Sequence, residues 1–210
     1  GVDPVVIGNP VDVTRFTRAR DAELDGWQPT EDAPVRIVFL GRLVERKGAG
    51  ELLRAVARAR SLTQVPVEVV IGGNGPLRDE LEAFVRTAGL DGVEFIGFVD
   101  EADKAALLAG ADVVALPSTG GESFGISVVE ALAASRGVVL AGDNPGYRTV
   151  MEGLEDQLVD ATDTEAFAAL LARYVGDAAA RTAASARQVE HAGRFDVDVI
   201  GAQVVEVYRA

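Results

Sequence analysis

Short apolar runs, each closed by a glycine or proline and each followed by a stretch that reads as helix, constrain this chain more than any other feature. The runs are Val35 to Leu40 before Gly41, Val67 to Ile71 before Gly72, Val93 to Ile96 before Gly97, Asp112 to Leu116 before Pro117, and Val138 to Ala141 before Gly142. Between and after them the sequence predicts helices over Gly50 to Ala59, Leu77 to Thr87, Asp100 to Ala109, Phe124 to Ser135, Arg148 to Glu152, Asp163 to Val175, Asp177 to Ala192 and Val197 to Arg209. Nearly continuous apolar strands alternating with helices mean a parallel sheet covered on both faces. The expected architecture is therefore α/β, a doubly wound parallel sheet with helices on both faces. Ligands of such sheets bind beyond the carboxyl ends of the strands, where this chain places its glycines.

The segment before Val35 is less regular. Val5 to Gly8 reads as a short strand and Asn9-Pro10-Val11-Asp12 as a turn. Thr14 to Pro34 is polar and reads as an irregular connecting arm, with Trp27 filling a gap in the surface. Residues 1–34 are thus expected to be an interdomain strand and arm, and residues 35–210 the main domain. A start at Gly1 rather than Met predicts a fragment or a processed chain.

Charge and composition narrow the chemistry. A net charge of −13 argues against nonspecific nucleic-acid binding. The absence of cysteine removes disulfide and thiolate chemistry. The single histidine, His191, lies in a polar stretch and reads as a surface residue, so a histidine metal site is not expected. Against the acidic background Arg42, Arg46 and Lys47 form a basic knot suited to focusing a small anion.

The stretch from Phe124 to Ser135 is apolar or small on every side apart from Glu130, so it reads as a buried helix. A buried carboxylate needs hydrogen-bond donors. A ligand diol could supply them, or Glu130 could pair with Arg42 or Arg148. The start of that helix offers free N–H groups to an anion, and Glu122 lies just before it. Elsewhere on the rim, Gly41 allows close approach, Arg42 can grip phosphate oxygens in a forked geometry, and Lys47 adds a point charge. The spacing matches neither a Walker P-loop nor a dinucleotide fingerprint.

The ordered set Gly41-Arg42-Leu43-Val44-Glu45-Arg46-Lys47-Gly48, Gly73-Asn74-Gly75-Pro76, Phe95-Ile96-Gly97-Phe98-Val99, Leu116-Pro117-Ser118 and Glu122-x7-Glu130 resembles the C-terminal, donor-binding half of a retaining glycosyltransferase of family 4, with the GT-B fold. The resemblance implies that residues 35–210 form a Rossmann-like nucleotide-sugar-binding domain that includes the C-terminal helices. Arg42 and Lys47 would hold the donor diphosphate. Glu122, with Ser123 and the backbone of Phe124, Gly125 and Ile126, would hold the transferred sugar and its phosphate, so that Arg42, Lys47 and Glu122 act catalytically. Glu130 would bind the ribose hydroxyls. Gly41, the turn Gly73-Asn74-Gly75 and the backbone of Phe98 and Val99 would complete the donor site.

The implied reaction moves a hexosyl group from a UDP- or GDP-sugar to a hydroxyl of an unknown sugar, lipid or small-molecule acceptor, with retention. It needs no cofactor and no metal, and nucleic acid is not a partner. The preceding half, which would carry the acceptor site, is expected to be missing, leaving the chain with little turnover of its own. The implied location is the cytoplasm, with membrane association through that half. Where the family reads Asn-Gly-Val-Asp this chain has Asn9-Pro10-Val11-Asp12, which bears on the hinge. Two other readings fit the same residues: a nucleotide-binding module without chemistry, and a GT-B nucleotide-sugar epimerase.

Overall fold

The computed structural model describes residues 7–27 and 33–209. Its centre is a parallel sheet of six strands, β1 (Val35–Leu40), β2 (Val67–Gly72), β3 (Val93–Gly97), β4 (Val113–Leu116), β5 (Val138–Gly142) and β6 (Leu158–Val159), in the order β3-β2-β1-β4-β5-β6. Every pairing is parallel. The chain winds outward from β1 to β3, then crosses back to β4 and winds the other way. The order therefore reverses between β1 and β4, the place where a crevice opens at the carboxyl rim.

The described residues also form nine α-helices: α1 (Val13–Leu24), α2 (Ala49–Ala59), α3 (Arg78–Thr87), α4 (Glu101–Ala109), α5 (Ile126–Ala134), α6 (Pro145–Val150), α7 (Thr164–Gly176), α8 (Ala178–Ala192) and α9 (Val197–Arg209). Alternation along the strands sorts the core into two layers. Ile37, Phe39, Val69, Ile71 and Leu140 face α2, α3 and α7. Val38, Val70, Val114 and Val139 face α1, α4 and α5. Helix α5 is buried around its circumference: Val128, Val129 and Leu132 have no exposed surface. Each such side chain contributes about 1.5–3 kcal/mol by leaving water.

Of the polar arm expected over Thr14 to Pro34, residues 28–32 lie outside the described residues, and Thr14 to Leu24 is instead part of helix α1. Asp12 caps it, accepting the Arg15 N–H at 3.0 Å. Val13 and Phe16, three residues apart, bury one face against α4 and α5, and the charged remainder faces solvent. Its apolar face is too narrow to register as a periodic pattern. Half of the strand expected at Val5 to Gly8 lies outside the described residues, and Ile7 and Gly8 form no strand. Trp27 is half-buried, with the Arg136 guanidinium 4.7 Å from its ring centroid.

Smaller differences have local causes. Helix α5 starts at Ile126, after Gly125, rather than at Phe124. Helix α6 starts earlier than expected because Asn144 caps it and Pro145 opens it. Pro76 sits in the turn before α3. The short edge strand β6 went unpredicted. His191 is half-buried, with Nε2 against the Val150 carbonyl. At the end of the chain α9 buries Ile200 and leaves Val204, Val205, Val207 and Tyr208 exposed.

Candidate functional site

The rim loops after β1, β2 and β4 are stitched together by their backbones. The Gly41 N–H donates to the Gly72 carbonyl at 2.9 Å, and the Leu43 N–H to the Asn74 carbonyl at 3.0 Å. Gly73 has φ +130°, and a Cβ on it would fall 1.9 Å from the Gly41 carbonyl oxygen. The same closeness recurs around the rim. A Cβ on Gly48 would meet the Pro117 carbonyl oxygen at 2.2 Å, and one on Gly142 the Ser118 carbonyl oxygen at 2.0 Å. A 3₁₀ turn, Glu45–Lys47, then carries Arg46 and Lys47 toward the loop after β4.

These loops enclose a cleft of about 460 Å³. Gly41, Arg42, Lys47 and Gly73 line it on the side of β1 and β2. Asn74, Phe98, Val99 and Glu130 complete it. Arg46, Lys104 and Ser127 also line it, although only Arg46 is suggested by sequence as part of the basic knot. A larger depression of about 640 Å³ lies beyond β5. Its arginine, Arg148, is bonded through two nitrogens to both oxygens of Asp143, whereas the smaller cleft gathers four cations, Arg42, Arg46, Lys47 and Lys104.

Glu122 is bound to that cleft through its cations. Its Oε1 accepts from Lys47 Nζ at 2.8 Å, from an Arg46 guanidinium nitrogen at 3.2 Å and from Ser118 Oγ at 2.7 Å. Burial works to raise this carboxyl, but the bonds from Lys47 and Ser118 and the charges of Lys47 and Arg46 outweigh it. They hold it below its ordinary 4.5. Nearby Tyr147 is buried, and burial with the Glu122 charge pushes its phenol up to about 12.

A carboxyl depressed in the folded state stabilises the fold above its unfolded value, and that contribution is lost as pH falls through the folded value. Stability in urea is expected to fall as pH drops below 4.5 and Glu122 takes up its proton. Glu122→Gln is expected to lower stability at neutral pH and to flatten this acid limb. An acid limb unchanged in the variant would show that other groups produce it.

Glu130 sits on the opposite wall, 8% exposed. Neither Arg42 nor Arg148 pairs with it. Its partner is Lys104 of α4, whose Nζ lies 3.0 Å and 3.1 Å from the two carboxylate oxygens. Lys104 also reaches Glu101 at 2.6 Å. Burial raises the Glu130 carboxyl above its usual range despite that ammonium. Lys104 is itself raised: burial opposes its charge, but bonds to Glu101 and Glu130 prevail.

The segment from Ser123 to Ile126 does not line the cleft with its side chains. Ser123 is exposed, Phe124 packs edge-on against Phe195 with centroids 5.6 Å apart, and Ile126 points outward. Gly125, at φ +110°, turns the chain into α5 beneath Tyr147. What this segment offers a ligand is backbone: no side chain caps α5, and the Ile126 and Ser127 N–H groups have no carbonyl partner among the described residues, whereas Val128 and Val129 donate to the Gly125 carbonyl. Gly75 belongs to the packing of the rim, since a Cβ there would fall 2.3 Å from the Leu43 carbonyl oxygen. Among the described residues no three histidine, aspartate or glutamate side chains converge as metal ligands. No described helix is long and apolar enough to cross a membrane.

The family described as "Glycosyl transferases group 1" matches residues 23–191. The chain belongs to that family. Among its relatives, the phosphatidyl-myo-inositol mannosyltransferase of Mycolicibacterium smegmatis is 41% identical over 212 residues, covering 99% of this chain and 52% of that protein. The D-inositol 3-phosphate glycosyltransferase of Corynebacterium urealyticum is 30% identical, with coverage of 98% and 50%. The chain thus spans about half the length of the curated relatives it matches. Anabaena HepE, solved in complex with UDP and glucose, superposes with a TM-score of 0.78 at 24% identity, covering 98% of this chain and 56% of that one. Sucrose-phosphate synthase from Thermosynechococcus elongatus gives the same TM-score at 23% identity, with coverage of 100% and 53%. The chain has the Rossmann-like α/β architecture found in GT-B glycosyltransferases.

Proposed function

We propose that this chain is the donor-binding half of a retaining family 4 glycosyltransferase, which moves a hexosyl group from a UDP- or GDP-sugar to an acceptor hydroxyl. The observation that carries this reading is that Arg42, Lys47 and Glu130 line one cleft at the switch point of the sheet, with Glu122 bonded to Lys47. The cations receive the diphosphate. They act most strongly when the sugar–oxygen bond breaks and the leaving group gains negative charge. The open start of α5 adds N–H donors and the positive end of a dipole to the same anion. Glu122 holds hydroxyls of the transferred sugar, Glu130 those of the ribose, and the backbone at Gly73-Asn74 and Phe98-Val99 frames the base.

The names of the relatives favour a mannosyl donor and an inositol-containing acceptor. Since one of those acceptors is a phosphatidyl lipid, they also favour work at the cytoplasmic membrane surface through the half outside this chain. Calorimetric titration with UDP and with GDP tests the donor site. Binding of at least one is expected at micromolar to millimolar concentrations. Glu130→Gln is expected to weaken it by about 1–2 kcal/mol through lost hydroxyl bonds. Absence of heat with either nucleotide at millimolar levels overturns the assignment. Sugar transfer by the longer protein, assayed with its acceptor half in place, separates an enzyme from a binding module.

A further inference from the structure

We propose that Lys104 is the positioning residue that keeps Glu130 able to accept two hydrogen bonds at once from the paired hydroxyls of a ribose. This role rests on the ribose-binding reading of Glu130 given above. Lys104 projects from α4 across to α5, and its ammonium is nearly equidistant from both Glu130 oxygens, at 3.0 Å and 3.1 Å. Its remaining proton is directed to Glu101 at 2.6 Å. An ammonium has three donors, so this one is fully committed within the protein. A carboxylate has about four lone-pair sites, so Glu130 retains acceptors for the cleft it lines.

That capacity depends on ionisation. A neutral carboxylic acid turns one oxygen into a donor and no longer offers a symmetrical pair of acceptors. Burial of Glu130 favours the neutral acid, as does the negative charge of Glu101, and Lys104 is the group that opposes both. The remaining charged groups facing Glu130 contribute less. Arg15 of α1 lies behind Glu101, 3.7 Å from its carboxylate. Arg42, Arg46 and Lys47 stand on the cleft wall, the last two engaged with Glu122. Elsewhere on α1, Arg18 is exposed, Arg20 bonds Asp21 and Ser185, and Glu23 bonds Arg136. On α4, Asp103 is exposed. On α6, Arg148 is held by Asp143. On α8, Arg181 bonds the Tyr174 and Val175 carbonyls, Arg187 bonds Asp156, His191 bonds Val150, and Glu190 is exposed.

The test measures affinity for UDP and for GDP, each beside its 2′,3′-dideoxy form, from about pH 8 down to about pH 5. The dideoxy form carries the same phosphates, so their own titration near about pH 6 cancels in the ratio. In the unaltered chain the preference for the ribonucleotide is expected to persist to lower pH than in the Lys104→Met variant. In Lys104→Met it is expected to fall by about tenfold per pH unit below the new Glu130 pKa and to return at higher pH. Lys104→Arg is expected to keep the original profile. Glu130→Gln is expected to lose the preference at every pH. Thermal melts establish that each variant is folded, and Lys104→Gln repeats the test if the methionine variant is not. If Glu130→Gln still prefers the ribonucleotide, the ribose reading falls and the role of Lys104 with it. If Glu130→Gln loses the preference while the uncharged Lys104 variants keep the original pH profile, the role of Lys104 alone is overturned.

Discussion

Lys47→Met is expected to cost about 2–3 kcal/mol of folding stability and to remove most of the affinity for a nucleoside diphosphate. The stability loss comes from Glu122. Its side chain is 12% exposed and bonded at one oxygen to Lys47, Arg46 and Ser118. Removing the closest cation leaves a mostly buried charge with one partly exposed arginine and a hydroxyl. The affinity loss comes from the cleft, where Lys47 is one of the cations available to phosphate. The two effects separate in the double variant Lys47→Met with Glu122→Gln. That pair is expected to recover much of the stability and none of the binding, because the stranded charge is gone but the cation is not restored. Urea denaturation and calorimetric titration read the two quantities independently. A single variant as stable as the parent would mean that Arg46 and Ser118 suffice to hold Glu122.

Gly73→Ala is expected to cost more, about 3–5 kcal/mol. Two penalties coincide at this position. The backbone sits at φ +130°, where a side chain is strained, and the new Cβ would fall 1.9 Å from the Gly41 carbonyl oxygen. Relief requires parting the loops after β1 and β2, at the expense of the bonds from the Gly41 N–H to the Gly72 carbonyl and from the Leu43 N–H to the Asn74 carbonyl. Gly89→Ala is the matching control. Its φ is +61° and nothing lies within 4 Å of the added carbon, so it carries backbone strain without collision and is expected to cost about 1 kcal/mol. Equal urea midpoints for the two variants would show that the rim loops yield more easily than their backbone contact implies.

The central strands were legible because they are buried on both faces and read as apolar runs closed by glycine or proline. Helix α1 was not. Its buried face consists chiefly of Val13 and Phe16, and the threonines, arginines and aspartates around them look like a solvated arm. The recognisable cap, Asp12, lies three residues before Arg15, whose N–H it accepts. Within the candidate site, the loops bearing Arg42, Lys47, Asn74 and Val99 could be placed together because each follows a strand of the same sheet. The pairing of Glu130 with Lys104 had no comparable signal. The two lie on different helices, 26 residues apart, and a single lysine among alanines and leucines reads as an ordinary surface charge. Nor does a charge pattern reveal that Glu122 is bonded to the same cations it was expected to work beside.

The backbone contacts of the rim also bear on how this surface could be re-engineered. Gly73 abuts the Gly41 carbonyl, Gly48 the Pro117 carbonyl and Gly142 the Ser118 carbonyl, so successive loops brace one another without intervening side chains. Lengthening or exchanging one loop would displace its neighbour. A designer transplanting this specificity to another scaffold would need to carry the loops as a single block, glycines included. Changes confined to an outward side chain such as Phe98 leave that block intact and are the natural place to begin altering which ligand is accepted.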